Sequence, residues 1–210
     1  MKYCLITLFA CIFALNSCKE QKKEDVITPK IDSASVVTKS ETSNLDQSPL
    51  DIIYYPLNYP LLKMKGDAAK LPVARIIYSR PHKKGRVIFG ESTSSLCPYG
   101  VEWRLGANEA TEIEFFKNVT INKRLIPAGR YILYCVPYES YWKMIFNTNL
   151  YSWGLHIDKN MDIFSTDIPI ENLDTEVENF TINFEPSKNG ANIIMEWDKV
   201  KTVLPVEFKN

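Results

Sequence analysis

The residues able to do chemistry gather in two short stretches. "YSRPHKKGR" brings Ser79, Arg80, Lys84 and Arg86 together, and "WRLGANEAT" follows with Trp103, Arg104, Asn108 and Glu109. A guanidinium grips carboxylates or phosphates through paired N–H donors. Trp103 would offer a flat apolar platform to a sugar or an aromatic ring. Gly85, Gly90, Gly100 and Gly106 would let backbone approach a guest closely. The chemistry this combination suits is the holding of a small anionic or glycan-like ligand, gripped by Arg80 and Arg104 with Trp103 as its platform. Glu109 opens a second option, a hydrolase of glycosidase type. That reaction needs another carboxylate about 5–5.5 Å or 6.5–9.5 Å away. A purely structural option stands beside both: Arg80 or Arg104 pairs with Glu109, and Asn108 closes a turn.

The remaining polar residues point less far. His82 sits in a Pro-Lys loop and reads as surface. His156 in "WGLHID" has the chemistry of a general base, but no Ser or Cys nucleophile motif accompanies it. Glu112 and Glu114 alternate with apolar residues, as a solvated strand face does. Trp142, Trp153 and Trp197 lie in strand-like or turn contexts and read as core. No Gly-rich phosphate loop, zinc signature or G-x-S-x-G elbow occurs. The cysteines and the two histidines show no metal-ligand spacing. Neither a metal nor a cofactor is expected.

The N-terminus speaks to compartment. After Lys2, residues 4–15 form an apolar run broken only by Thr7. A bilayer-spanning helix needs about 20 apolar residues, so this run matches the apolar region of a secretory signal. It ends in "LNSC", which resembles the lipobox of bacterial lipoproteins, where Cys18 would be the acylated first residue of the mature chain. Residues 1–17 are thus expected to be a lipoprotein signal peptide. Residues 18–49, rich in Lys, Glu, Ser and Thr and without an aromatic, are expected to be a flexible tether reaching roughly 30 Å. Lys19 follows the acylated position; Asp there would suggest inner-membrane retention, so the resemblance implies an outer-membrane destination. An alternative role is a structural or assembly protein of the envelope.

Residues 50–210 suffice for one domain with its own core. The whole chain is charge-balanced, 25 basic against 25 acidic residues. Loss of Lys2 would leave the mature chain about one charge negative, which argues against nucleic acid as a partner. Cys97 and Cys135 are either packed as small hydrophobes or bridged. A bridge would close a loop of about 38 residues and contribute about 4 kcal/mol.

Such a site must be positioned by strands. "ARIIYS" (74–79), "RVIF" (86–89), "EIEFF" (112–116), "VTIN" (119–122) and "RLI" (124–126) are short β-prone runs. "RYILYCV" (130–136) is apolar on both parities, as in a central strand covered on both faces. "YWKMIF" (141–146), "FTINF" (180–184), "NIIMEW" (192–197) and "KVKTVLPVEF" (199–208) follow, with a hairpin turn at Asn189-Gly190. "DIIYYPLNYPLLKMKG" (51–66), with Tyr54, Tyr55 and Tyr59 and two prolines, is expected to lie extended against the domain. No amphipathic helix of ten residues stands out. The pattern predicts an all-β fold, a single antiparallel β-sandwich of jelly-roll-like kind.

Four motifs in this order, "YSRPHKKGRVIFG" (78–90), "PYGVEWRLGANEATEIEF" (98–115), "LIPAGRYILYCVP" (125–137) and "WKMIFN" (142–147), resemble the DUF2911 family. That family comprises secreted and lipid-anchored bacterial proteins of unknown function. The resemblance runs from about Leu45 to Val206, and it implies a shared fold without naming a reaction. "STSSLCPYG" departs from it: the approach to Pro98 is longer and more polar than the family's, and Cys97 stands where an aliphatic residue is usual.

Overall fold

The computed structural model describes residues 48–66, 72–150, 152 and 154–208. The expected signal peptide, and the tether up to residue 47, lie outside the described residues. So does Trp153.

Strands account for most of the described chain. They are β1 (Leu50–Tyr55), β2 (Ala74–Ser79), β3 (Phe89–Gly90), β4 (Cys97–Pro98), β5 (Thr111–Phe115), β6 (Val119–Ile121), β7 (Arg124–Ile126), β8 (Gly129–Pro137), β9 (Tyr141–Asn147), β10 (Asp162–Ser187) and β11 (Gly190–Phe208). One short helix, α1 (Tyr59–Met64), follows β1. The main sheet runs β1-β2-β5-β8-β9-β10-β11-β6-β7, with antiparallel neighbours throughout, while β3 and β4 form a separate parallel pair.

The sheet becomes two layers because β10 serves both. Its first residues, Asp162–Pro169, pair with β9; Ile170 onward pairs with β11. Register shifts between Asn172, Val177 and Thr181 bend the long ribbon, as bulges do. Asp198, at φ 56°, sits opposite Val177 in the bend. Lys83 reaches Glu176 at 2.6 Å and Asp198 at 2.7 Å, tying both strands of the bend to the loop after β2.

Alternation places the core between the layers. Ile76 and Tyr78 of β2, Ile113 and Phe115 of β5, and Trp142, Met144 and Phe146 of β9 face Phe180, Ile182, Phe184, Met195 and Trp197. Glu112 and Glu114 point outward and engage Arg130 and Arg75. β8 is buried on both parities because its second face is covered too. Ile132 and Tyr134 pack there with Ala110, Ile145 and Ile157. Asn122 and Lys123, both at positive φ (45° and 65°), form the tight turn between β6 and β7, the backbone a type I′ hairpin requires. The β10–β11 hairpin turns at Lys188-Asn189, one residue before the predicted pair.

Three local expectations are corrected. "RVIF" is not a four-residue strand: only Phe89 enters a ladder, and Val87 and Ile88 accept hydrogen bonds from Leu96 and Cys97. Residues 51–66 are not extended throughout. Pro56 ends the strand, and Pro60 falls in the first turn of α1, where its missing N–H costs nothing. The segment 162–170, which carried no strand expectation, is the first part of β10; Phe164, Thr166 and Ile168 supply its buried alternation.

Candidate functional site

The stretch from Trp103 to Thr111 folds into a loop closed by its own hydrogen bonds. Trp103 exchanges two backbone bonds with Cys135 of β8, at 2.7 and 2.9 Å. The Trp103 indole donates to the Gly106 carbonyl at 3.1 Å. At the far end the Thr111 N–H donates to the Arg104 carbonyl at 3.1 Å, and its hydroxyl donates to the Leu105 carbonyl at 2.5 Å. Leu105 and Asn108 both adopt left-handed φ, 58° and 59°, so Asn108 turns the chain, as the structural option proposed. Gly106 presses against the end of β2: a Cβ there would stand 3.0 Å from the Ser79 carbonyl oxygen.

This loop divides the predicted constellation. On one side Arg86, Trp103 and Arg104 line a cavity of about 280 Å³ with Cys97, Gly154 and Leu155. On the other, Ser79 and Glu109 line a cavity of about 440 Å³ with Glu112, Arg130, Ile132 and Leu150. Asn108 is half-buried and sits on the loop between them. Arg80 lies in the lining of neither. It approaches Asp51 at 3.6 Å, the Phe180 carbonyl at 3.4 Å and the Thr181 hydroxyl at 3.2 Å. Arg80 therefore braces β1 and β2 against β10, and its carboxylate partner is Asp51 rather than Glu109.

Trp103 is no open platform. It is 8% exposed, stacks on Trp197 at 5.5 Å and meets Trp142, Phe180 and Phe89 edge-on. The core takes its ring faces and only a margin reaches the cavity. The correction has a plain cause: a large aromatic beside a backbone bridge in mid-sheet gains more from packing than from solvent exposure.

The smaller cavity is cationic. Arg86 is exposed and steadied by the Lys83 and His82 carbonyls, at 3.0 and 2.5 Å. Burial pushes the Cys97 thiol well above its ordinary value, and the Arg104 and Arg86 guanidiniums pull the other way. Both charges thus act on one spot of the cavity wall. Glu102, at the rim, hydrogen-bonds Lys159, which holds its carboxyl below the usual range. In the larger cavity Glu112 is the second carboxylate beside Glu109, but it forms an ion pair with Arg130. A third concavity, about 400 Å³, is bounded by Tyr134 and Asp162. There the Tyr134 hydroxyl contacts both Asp162 oxygens, at 3.0 and 2.9 Å, and the buried Asn147 amide donates to Asp162 at 2.7 Å.

Sequence reasoning missed Gly154, whose neighbour His156 drew notice instead. Gly154 packs against Arg104, while His156 is exposed. A lone glycine following a tryptophan was the available signal. Cys97 and Cys135 are both buried free thiols, and Cys97 fills the aliphatic place the resemblance assigned. Among the described residues no group of three or more His, Cys, Asp and Glu is placed to hold a metal ion. No described helix is long and apolar enough to cross a membrane.

Fold and site together define an all-β, sandwich-like domain with a small arginine-lined cavity beside its central strands. The chain belongs to DUF2911, a family of proteins of unknown function, whose family model matches residues 62–206. That match starts within α1, later than the Leu45 at which the resemblance began. Comparison with curated proteins and with solved structures found no match.

Proposed function

We propose that this chain is a lipoprotein of the cell envelope, moored through an acylated Cys18, whose DUF2911 domain binds a small anionic or glycan-like ligand between Arg86 and Arg104. The observation that carries the binding reading is the convergence of these two residues, distant in sequence, on one cavity of about 280 Å³. That volume suits a ligand of monosaccharide size, just below the range of drug-sized pockets. Two guanidiniums offer paired donors to a carboxylate, and Leu96 and Leu155 give the mouth apolar walls. Mooring rests on the coincidence of Lys2, the apolar run and "LNSC". An outer-membrane position is what the resemblance to lipoproteins implies, with Lys19 rather than Asp after the anchor.

The binding test is a calorimetric titration of the chain from residue 18 onward, carrying Cys18→Ser, with galacturonate, citrate and inorganic phosphate in turn. Binding of at least one probe is expected, weakened about tenfold or more by Arg104→Ala, as loss of a charge-assisted contact implies. No binding of any of the three, or binding unchanged in both Arg104→Ala and Arg86→Ala, removes the site. Mooring is tested by the mass of the mature N-terminal peptide. Acyl chains on Cys18 are expected, and an unacylated N-terminus overturns the anchor.

A further inference from the structure

The α1 end of the domain carries an apolar surface that the core does not use. Leu57, Leu61 and Met64 are 51%, 56% and 76% exposed. A spacing of three puts Leu61 and Met64 on one side of the helix, and Leu57 lies in the turn just before it. Lys63 and Lys65 flank them, also exposed. Exposed Leu50 and Ile52 lie on the outer face of β1. That face runs into α1 through the Tyr54–Tyr59 ring contact, 5.3 Å between centroids. Single exposed apolar residues are ordinary; a cluster within fifteen residues marks an interaction surface.

The same end is basic. The Tyr55 hydroxyl donates to the Gly190 carbonyl at 3.1 Å, bringing the β10–β11 hairpin tip beside the strand that leads to α1. The concavity there, about 550 Å³, is lined by Tyr55, Lys117, Lys188 and Glu207 among others. Lys63 and Lys65 flank the exposed leucines and methionine directly, and Lys117 and Lys188, with Glu207, line the concavity under the strand that leads to them.

We propose that this end docks on a bilayer surface containing anionic lipid. Leu57, Leu61 and Met64 enter the acyl boundary, and Lys63 and Lys65 lie among the headgroups, as basic residues do on interfacial helices. The proposal rests on the anchoring of Cys18 proposed above. About thirty residues separate Cys18 from Ser48, a length of chain that spans at most roughly 100 Å. The chain enters β1 at the end away from α1, and six residues of strand span roughly 20 Å. The length of chain exceeds that span, so an anchor at Cys18 and α1 are able to reach one membrane. A second copy of this chain would bring the lysines against each other, which favours lipid as the occupant.

The test uses the chain from residue 18 with Cys18→Ser, so that no acyl chain contributes. It is cosedimented with vesicles of phosphatidylethanolamine plus phosphatidylglycerol, and with phosphatidylcholine alone. Binding to the anionic vesicles about tenfold above the neutral ones is expected, given the worth of lysines near such a surface. Leu57→Ser, Leu61→Ser and Met64→Ser together should abolish it while circular dichroism stays unchanged, since all three side chains are exposed. No vesicle binding, or equal binding by the triple variant, overturns the proposal. Self-association that the triple change removes, without vesicle binding, assigns the patch to a second copy and equally overturns it. Vesicle binding with no acyl group on native Cys18 would sink the anchoring reading alone.

Discussion

Gly154 touches Arg104 so closely that a methyl group would not fit between them. An ideal Cβ on Gly154 would stand 2.4 Å from Arg104 Cδ, 2.9 Å from its Cβ and 3.1 Å from the Ala110 nitrogen. The arginine that lines the small cavity is thus held from behind by a backbone surface. Gly154→Ala is expected to destabilise the fold by about 1–3 kcal/mol, the usual range for overpacking, and to weaken any ligand held by Arg104. Urea unfolding measures the first effect and titration with the same three anions the second. An unchanged unfolding midpoint would show that the arginine moves aside freely.

Tyr78 bolts the two layers together. Its hydroxyl donates to the Ile182 carbonyl at 3.2 Å and accepts from the Ile182 N–H at 3.0 Å. Tyr78→Phe leaves both buried groups unpaired, so a loss of about 1–3 kcal/mol is expected at neutral pH. Denaturant titration of the two proteins checks it.

The same phenol predicts a pH dependence. Burial, with Asp51 nearby, pushes its ionisation up to about 12, against the opposing hydrogen bond of Ile182 and the charge of Arg80. The folded state prefers the neutral hydroxyl, whereas the unfolded chain ionises near pH 10. The stabilisation is complete below pH 10 and is lost as pH rises from 10 through about 12. The stability difference between wild type and Tyr78→Phe should shrink across that interval. A constant difference would show that the hydroxyl titrates as in water.

Gly190 closes the β10–β11 hairpin against β11 itself. A Cβ there would stand 2.0 Å from the Val206 carbonyl oxygen and 2.9 Å from Glu207 Cα. Backbone cannot swing away as a side chain does, so Gly190→Ala should cost about 3 kcal/mol or more. The unfolding midpoint reports it. Loss below about 0.5 kcal/mol would mean that the hairpin tip shifts without strain.

Both domain thiols should be silent. Cys97 and Cys135 are buried, and burial pushes both ionisations upward. The thiolate is the reactive form. Iodoacetamide is therefore expected to leave both unmodified in the folded Cys18→Ser protein and to label both in urea. Labelling of Cys97 without denaturant would show that the arginine-lined cavity opens wide enough to expose it.

Much of the fold was legible because strand alternation is a local signal. Ile113 and Phe115 against Glu112 and Glu114 gave β5 its faces, and the unbroken apolar run at 130–136 marked a strand covered twice. β10 was less legible. Its outer residues at 171–179 are polar, and its bend depends on Lys83 reaching across from a distant loop. α1 was hidden because six residues with a proline in the first turn carry almost no period.

The candidate site was half legible. Arg86 and Arg104 line one cavity, but Arg80, expected to grip a ligand with Arg104, braces β1 and β2 instead, and Glu109 and Ser79 open on the opposite side of the loop. Residue types told what each group could bind. They could not tell on which side of a loop it would emerge, because left-handed turns at Leu105 and Asn108 set that direction. The sequence by itself determined the β-rich class, the family and the separation of charged from apolar strand faces, since these follow from residue type and nearest-neighbour spacing. Only the tertiary structure decided that Trp103 is core, that Arg80 is a brace and that Gly154 backs Arg104. Those outcomes depend on which distant backbone arrives beside each side chain, and no local pattern carries that information.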